Sequence, residues 1–219
     1  IVDYLVQKSD TPQQQINLIP GYVEPADTRH LKRFLKEFGV ESVVFPDTYD
    51  VVDTPQTGDF RMYPKGGTPV EDLKTAGDSL ATVALGPMAS EAAAKSLQNK
   101  CDVPYRALDL PIGVAACDRF VQTLMELTGT QPPESLVDDR GRLVDIMTDM
   151  QQYLYGLRVA VSGDPDQVVP LTEFLVSCGA RPVYVITGTP SKYFRKRCEE
   201  ILSNTVPEAI YKDDTDLFY

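Results

Sequence analysis

Two aspartates one helical turn apart, Asp145 and Asp149, are the residues in this sequence whose spacing best suits chemistry. They lie on a segment from Glu134 to Tyr155 in which Leu136, Leu143, Met147, Met150 and Leu154 recur at spacings of 7, 4, 3 and 4. At about 100° per residue this pattern predicts a helix with those five residues in one narrow stripe. Asp138, Asp145 and Asp149 then fall on the opposite face. Two readings of the pair stand side by side. In one it is a solvated acidic face, where like charges at i, i+4 cost about 0.2–0.5 kcal/mol and Arg142, three residues before Asp145, relieves them. In the other, each carboxylate gives an oxygen to a hard cation such as Ca²⁺. Such an ion takes about six to eight oxygens, so most of its ligands must come from elsewhere.

Other reactive residue types are sparse. The single histidine, His30, falls on the outer part of an amphipathic helical pattern, where a surface imidazole is the simple reading. No HExxH, GxSxG or P-loop pattern is present, so neither a zinc hydrolase nor an elbow-type serine hydrolase is indicated. The four cysteines, Cys101, Cys117, Cys178 and Cys198, are separated by 16, 61 and 20 residues and form no CxxC pair. Cys117 and Cys178 sit in apolar helical patterns and read as small buried hydrophobes. The pattern is not a disulfide framework, and a reducing cytoplasm fits it.

Two glycine-containing turns lack the chemistry of nucleotide loops. Gly163-Asp164-Pro165-Asp166 follows a strand and opens a helix but has no second or third glycine. Its two carboxylates suit a helix amino terminus themselves and would repel a pyrophosphate. Lys65-Gly66-Gly67-Thr68 has no P-loop spacing.

These residues need elements to position them, and the sequence alternates strand and helix patterns as a parallel sheet covered by helices does. Strands are predicted at residues 15–19, 42–45, 80–85, 105–108, 158–161 and 182–186. Helices are predicted from Pro25 to a stop at Gly39, near residues 70–76, at 88–98, 111–128, 134–155, 166–177 and about 192–202. Pro46 to Thr68 reads as a long loop, a length often tied to function or to an interface. Gly129-Thr130-Gln131-Pro132-Pro133 is the best boundary. The fold class is therefore α/β: two Rossmann-like units, each a doubly wound parallel sheet, the second incomplete, joined by a long helix. The first domain spans 1–130; the linking helix and partial second domain span 131–219.

Composition narrows the partners. The 219 residues carry 21 Lys and Arg against 32 Asp and Glu, a formal net charge of −11. That balance argues against nucleic acid or an anionic membrane as partner, since phosphate binding requires clustered cations. No stretch reaches the ~20 apolar residues of a membrane helix. The chain opens on Ile1 and closes on Leu217-Phe218-Tyr219, which reads as an internal fragment.

Several strings, collinear along nearly the whole chain, resemble the β-type subunits of nitrogenase component 1. Ile16-Asn17-Leu18-Ile19-Pro20-Gly21 resembles a strand and turn of that family. Asp53-Thr54-Pro55 and Gly58-Asp59-Phe60-Arg61-Met62-Tyr63 resemble its next loop. Pro133-Glu134-Ser135-Leu136 and Arg140-Gly141-Arg142-Leu143-Val144-Asp145 resemble its long helix, and Gly163-Asp164-Pro165-Asp166 the following turn. Phe45-Pro46-Asp47-Thr48 and Pro64-Lys65-Gly66-Gly67 look closer to the vanadium-iron protein than to the molybdenum-iron protein.

The resemblance implies an oxidoreductase complex that reduces dinitrogen to ammonia at the expense of ATP. Its partners are an α subunit, a second β subunit and an iron protein. Electrons pass through a P-cluster (8Fe-7S) shared by α and β to an iron-molybdenum or iron-vanadium cofactor held in α. The cluster cysteines of that family lie upstream of the matching region, and none of the four cysteines here corresponds to them. No catalytic or cofactor-binding residue, and no cofactor, is therefore expected in this segment, which is a scaffold and interface piece inactive alone. Asp145-Ile146-Met147-Thr148-Asp149 resembles the place where two aspartates help hold a cation between two β subunits. Two other readings share the fold: a cofactor-assembly scaffold subunit and a protochlorophyllide-reductase-like paralogue. A two-lobed solute-binding protein is a reading of a different class, which requires a secretion signal not seen here.

Overall fold

A computed structural model of the chain describes residues 1–9, 11–55, 57–62 and 65–214. Tyr63 and Pro64 of the long loop, and the closing Leu217-Phe218-Tyr219, lie outside the described residues. In chain order the elements are α1 (Val2–Leu5), β1 (Gln13–Ile19), α2 (Pro25–Phe38), β2 (Ser42–Val44) and α3 (Val70–Thr75) with a 3₁₀ turn after it. There follow β3 (Ser79–Leu85), α4 (Pro87–Cys101), β4 (Tyr105–Leu108), α5 (Val114–Thr128) and α6 (Glu134–Leu154). The last are β5 (Arg158–Ser162), α7 (Pro165–Ser177), β6 (Arg181–Ile186), α8 (Lys192–Leu202) and β7 (Ile210–Lys212). The chain divides into two compact units: residues 1–108 with 123–131, and residues 109–122 with 132–219.

Unit 1 holds a four-stranded, wholly parallel sheet in the order β2-β1-β3-β4. From β1 the chain first steps outward to β2, then passes back beyond β1 to β3 and β4. Right-handed crossovers in opposite directions place α2 and α4 on opposite faces, which is double winding. The local signals for these elements are physical. Glu24 and Asp27 exchange side-chain-to-backbone bonds in a capping box at the start of α2, Pro25 occupies its first turn, and Gly39, at φ +79°, closes its end.

The turn after β1 has a reason for its glycine. Gly21 adopts φ +77°, and a Cβ there would lie 2.3 Å from the Leu85 carbonyl oxygen, so the crevice between β1 and β3 is closed by backbone against backbone. Asn17, fully buried in β1, spends its amide inside the unit. Its Nδ2 donates to Ala76 O at 2.9 Å and Thr82 Oγ1 at 3.2 Å, and its Oδ1 accepts from Ser79 Oγ at 3.0 Å. A buried amide left unpaired would cost about 1–3 kcal/mol, so the asparagine of the Ile16-Asn17-Leu18 string is a satisfied structural group.

Unit 2 holds a three-stranded parallel sheet, β5-β6-β7, whose order runs in one direction only. Its two crossover helices, α7 and α8, consequently share one face and bury Val161, Val168, Val169, Val183, Val185, Phe194 and Leu202. The other face lies open. Ala160, Tyr184 and Ile210 are in register across the three strands and all exposed, with Tyr184 and Ile210 at 45% and 46%. Parallel sheets are normally covered on both faces, so this unit has half the layers its architecture calls for.

Three sequence expectations shift. The helix placed at 111–128 begins at Val114, because Ile112 N bonds Leu110 O in a turn and Gly113 takes φ +82° against the Phe174 ring. β7 is too short a string for periodicity to mark. The long helix α6 is present at its predicted bounds, but the five-residue stripe does not face a core: no residue of α6 is buried.

Candidate metal centre and surrounding surfaces

Helix α6 starts where two prolines precede Glu134. Pro133 is its N-cap, and Glu134 in the first turn complements the helix dipole. It ends as Gly156 turns to φ +75° and donates its N–H to Gly179 O at 2.8 Å. On its packed side Arg140 donates two bonds of 2.7 Å each to Asp118 of α5. Beyond that pair, Val144, Met147, Thr148 and Gln151 line a cavity of about 360 Å³ together with Val114, Ala115, Asp118 and Ser177.

That contact takes in one member of the predicted stripe, Met147, and the stripe is only partly covered. Leu143 and Met150, two of its members, are 41% and 47% exposed, and Ile146 and Tyr153 beside them reach 57% and 70%. The partly buried residues of α6 are Leu136, Met147 and Leu154, all members of the stripe that periodicity picked out.

Asp145 and Asp149 both stand exposed on α6, away from the cavity. Arg142 does not relieve them. Its guanidinium turns toward the helix start, 2.6 Å from Asp139 and 4.0 Å from Asp138. Neither Asp145 nor Asp149 has an ion-pair partner among the described residues. Two unopposed carboxylates one turn apart fit part of a hard-cation shell. They supply at most four oxygens, and among the described residues no group of three or more His, Cys, Asp or Glu is placed to hold a metal.

The four thiols do not form a ligand set for an iron–sulfur cluster. Cys101, Cys178 and Cys198 are buried and Cys117 partly so. Burial pushes the Cys198 thiol up to about 12 and raises those of Cys101 and Cys117. Cys117 Sγ donates to Pro111 O at 3.1 Å. His30 is exposed. In the Gly163–Asp166 turn, Asp164 is the N-cap of α7 and accepts from Asp166 N at 3.0 Å. The turn's own carboxylate thus takes the place an anionic ligand would.

The long loop is folded back on α2. The Asp47 side chain, fully buried, accepts from Lys32 Nζ at 2.7 Å, and Arg29 bonds Asp53. Arg29 and Lys32 both lie over the Tyr49 ring, at 5.3 and 4.6 Å from its centroid. So anchored, the loop exposes Phe60 at 90% and Met62 at 73%. Sequence reading had no signal for these pairings, since each partner lies on a different element.

The fold is thus a pair of Rossmann-like α/β units with a solvent-facing acidic helix. Residues 1–218 match the family of nitrogenase component 1 type oxidoreductases, and the chain belongs to that family. It is 46% identical over 203 residues to the nitrogenase molybdenum-iron protein beta chain of Clostridium pasteurianum, covering 93% of this chain and 44% of that one. It is 37% identical over 199 residues to the protein of the same name from Methanococcus maripaludis, covering 89% of this chain and 43% of the relative. A solved structure of nitrogenase Cp1 at pH 6.5 superimposes with a TM-score of 0.96 at 44% identity, over 99% of this chain and 48% of that one. The chain therefore spans less than half the length of these relatives. Among the described residues no helix is long and apolar enough to cross a membrane.

Proposed function

We propose that this chain is part of a β subunit of nitrogenase component 1, the complex that reduces dinitrogen to ammonia with ATP hydrolysed by a partner iron protein. The observation that carries the reading is the joint 44% identity and 0.96 TM-score to nitrogenase Cp1 over 99% of the chain. The family match sets aside the solute-binding alternative.

Within that complex the segment's share is architectural, and alone it is inactive. Its partners are the α subunit, a second β subunit and the iron protein, in the cytoplasm, with neither nucleic acid nor membrane involved. The P-cluster and a molybdenum-type cofactor belong to the complex; the relatives' molybdenum-iron names favour that metal. The thiols described above would not hold either group. The open face at Ala160, Tyr184 and Ile210, and the exposed apolar residues of α6, are surfaces such a complex would cover. Asp145 and Asp149 would contribute to a cation site between β subunits.

Disrupting the gene that carries the chain tests the reading. Loss of acetylene reduction together with loss of assembled component 1 is the expected result. If component 1 protein instead accumulates without cofactor and regains activity on adding isolated cofactor, the chain belongs to an assembly scaffold. Unchanged nitrogen fixation overturns the proposal.

A further inference from the structure

Unit 2 contains a charge cluster that no motif announces. Asp109 follows β4, and its carboxylate is almost fully shielded, with 9% of the side chain exposed. Oδ1 accepts from the Tyr193 hydroxyl at 2.6 Å, and Oδ2 accepts from Arg197 Nη2 at 2.9 Å, with Arg119 Nη2 at 3.5 Å. Arg119 in turn holds Glu173 by two bonds, 3.2 and 2.5 Å. Arg197 also reaches Glu200 at 2.6 Å and lies 3.7 Å from Glu173.

Three carboxylates thus surround two guanidiniums. The excess negative charge is met by the Tyr193 hydroxyl, which burial and the neighbouring Asp109 carboxylate keep protonated and donating by raising its pKa. Asp109 and Arg119 come from the segment 109–122, Glu173 from α7, and Tyr193, Arg197 and Glu200 from α8. Gly113 adds a steric fit: a Cβ there would lie 2.7 Å from the Phe174 ring.

Burial decides the weight of such a cluster. Exposed ion pairs contribute little, but removing one member of a shielded group strands the others without water. Asp109, Arg197 and Glu173, with side chains at 9%, 23% and 24% exposure, form the shielded centre of this cluster, and Arg119 and Glu200, at 40% and 44%, reach solvent at its edge.

We propose that the Asp109–Arg119–Glu173–Tyr193–Arg197 cluster is a clamp that fastens the segment 109–122 to α7 and α8. Through it, the first half of α5 opens and closes with unit 2 and not with the sheet that precedes it in sequence.

Hydrogen exchange followed by mass spectrometry on the purified, assembled protein tests this, reading peptides from residues 110–122, 123–131, α7, α8, β1 and β3. Arg197→Met leaves the three carboxylates with Arg119 alone. It is expected to speed exchange in 110–122, α7 and α8 together by tenfold or more, with β1 and β3 unchanged. Should that variant fail to accumulate, Tyr193→Phe, which removes only the 2.6 Å bond, is expected to speed the same peptides by about tenfold, the order of one hydrogen bond to a charged group. Exchange in 110–122 that stays at the parent rate in the folded variants, or that rises with β1 and β3 instead of α7 and α8, overturns the clamp.

Discussion

Replacing Gly21 with alanine loads the turn after β1 in two separable ways. The first is conformational: at φ +77° an L-residue pays about 1–2 kcal/mol for the left-handed region. The second is steric. The new Cβ would sit 2.3 Å from Leu85 O, whereas ordinary contact begins near 3.4 Å, so one strand end must retreat by roughly 1 Å. Overpacking of that kind costs about 1–3 kcal/mol, and here it falls on backbone, which cannot rotate aside. Gly129 is the control. Its φ is +73°, but a Cβ there meets nothing within 4 Å, so Gly129→Ala carries only the conformational cost. The difference, about 1–3 kcal/mol, corresponds to roughly 5- to 150-fold faster exchange of the β1 and β3 amides in Gly21→Ala than in Gly129→Ala, if those amides exchange through opening of the unit. The assay is hydrogen exchange at fixed pH and temperature. Equal effects of the two substitutions would refute the claim that backbone closure between β1 and Leu85 dictates the glycine.

The remaining predictions concern charge and exposed surface. Asp145→Asn with Asp149→Asn removes a like-charge pair on an exposed helix, so circular dichroism should show α6 retained. Divalent-cation-dependent association of the assembled protein should weaken, and unchanged association at low divalent cation counts against the site. For Asp118, the hydrogen bond from Arg140 holds the carboxyl below its ordinary value of 3.8. A depressed carboxylate stabilises above its unfolded pKa and loses that contribution as pH falls through the lowered folded value. Exchange in α6 should therefore accelerate below about pH 4 in the parent more than in Arg140→Gln, and an identical pH profile would dismiss the pair as the anchor of α6. Tyr184→Ser with Ile210→Ser should reduce concentration-dependent association of the chain on its own, measured by sedimentation, while leaving its folded sheet intact. Undiminished association would show that this open face is not the sticky one.

Most of the local architecture was legible in residue order alone. Pro25, Asp27 and Gly39 delimited α2, the prolines before Glu134 and Gly156 delimited α6, and short apolar runs between turn signals marked every strand but β7. These signals are local because caps, turns and side-chain periods act within a few residues. Residue order also carried the family, since collinear strings such as Ile16–Gly21 need no coordinates to compare. What it left open depends on partners distant in the chain. The stripe on α6 listed alike residues but could not say how deeply each is covered, nor that Arg140 meets Asp118, 22 positions away. Arg142 had acidic neighbours on both sides, and only the folded structure shows its guanidinium on Asp139 and not on Asp145. The Asp109 cluster joins residues up to 88 positions apart, and its strength comes from being shielded. Burial is a property of assembled elements, so no reading of residue order could weigh it.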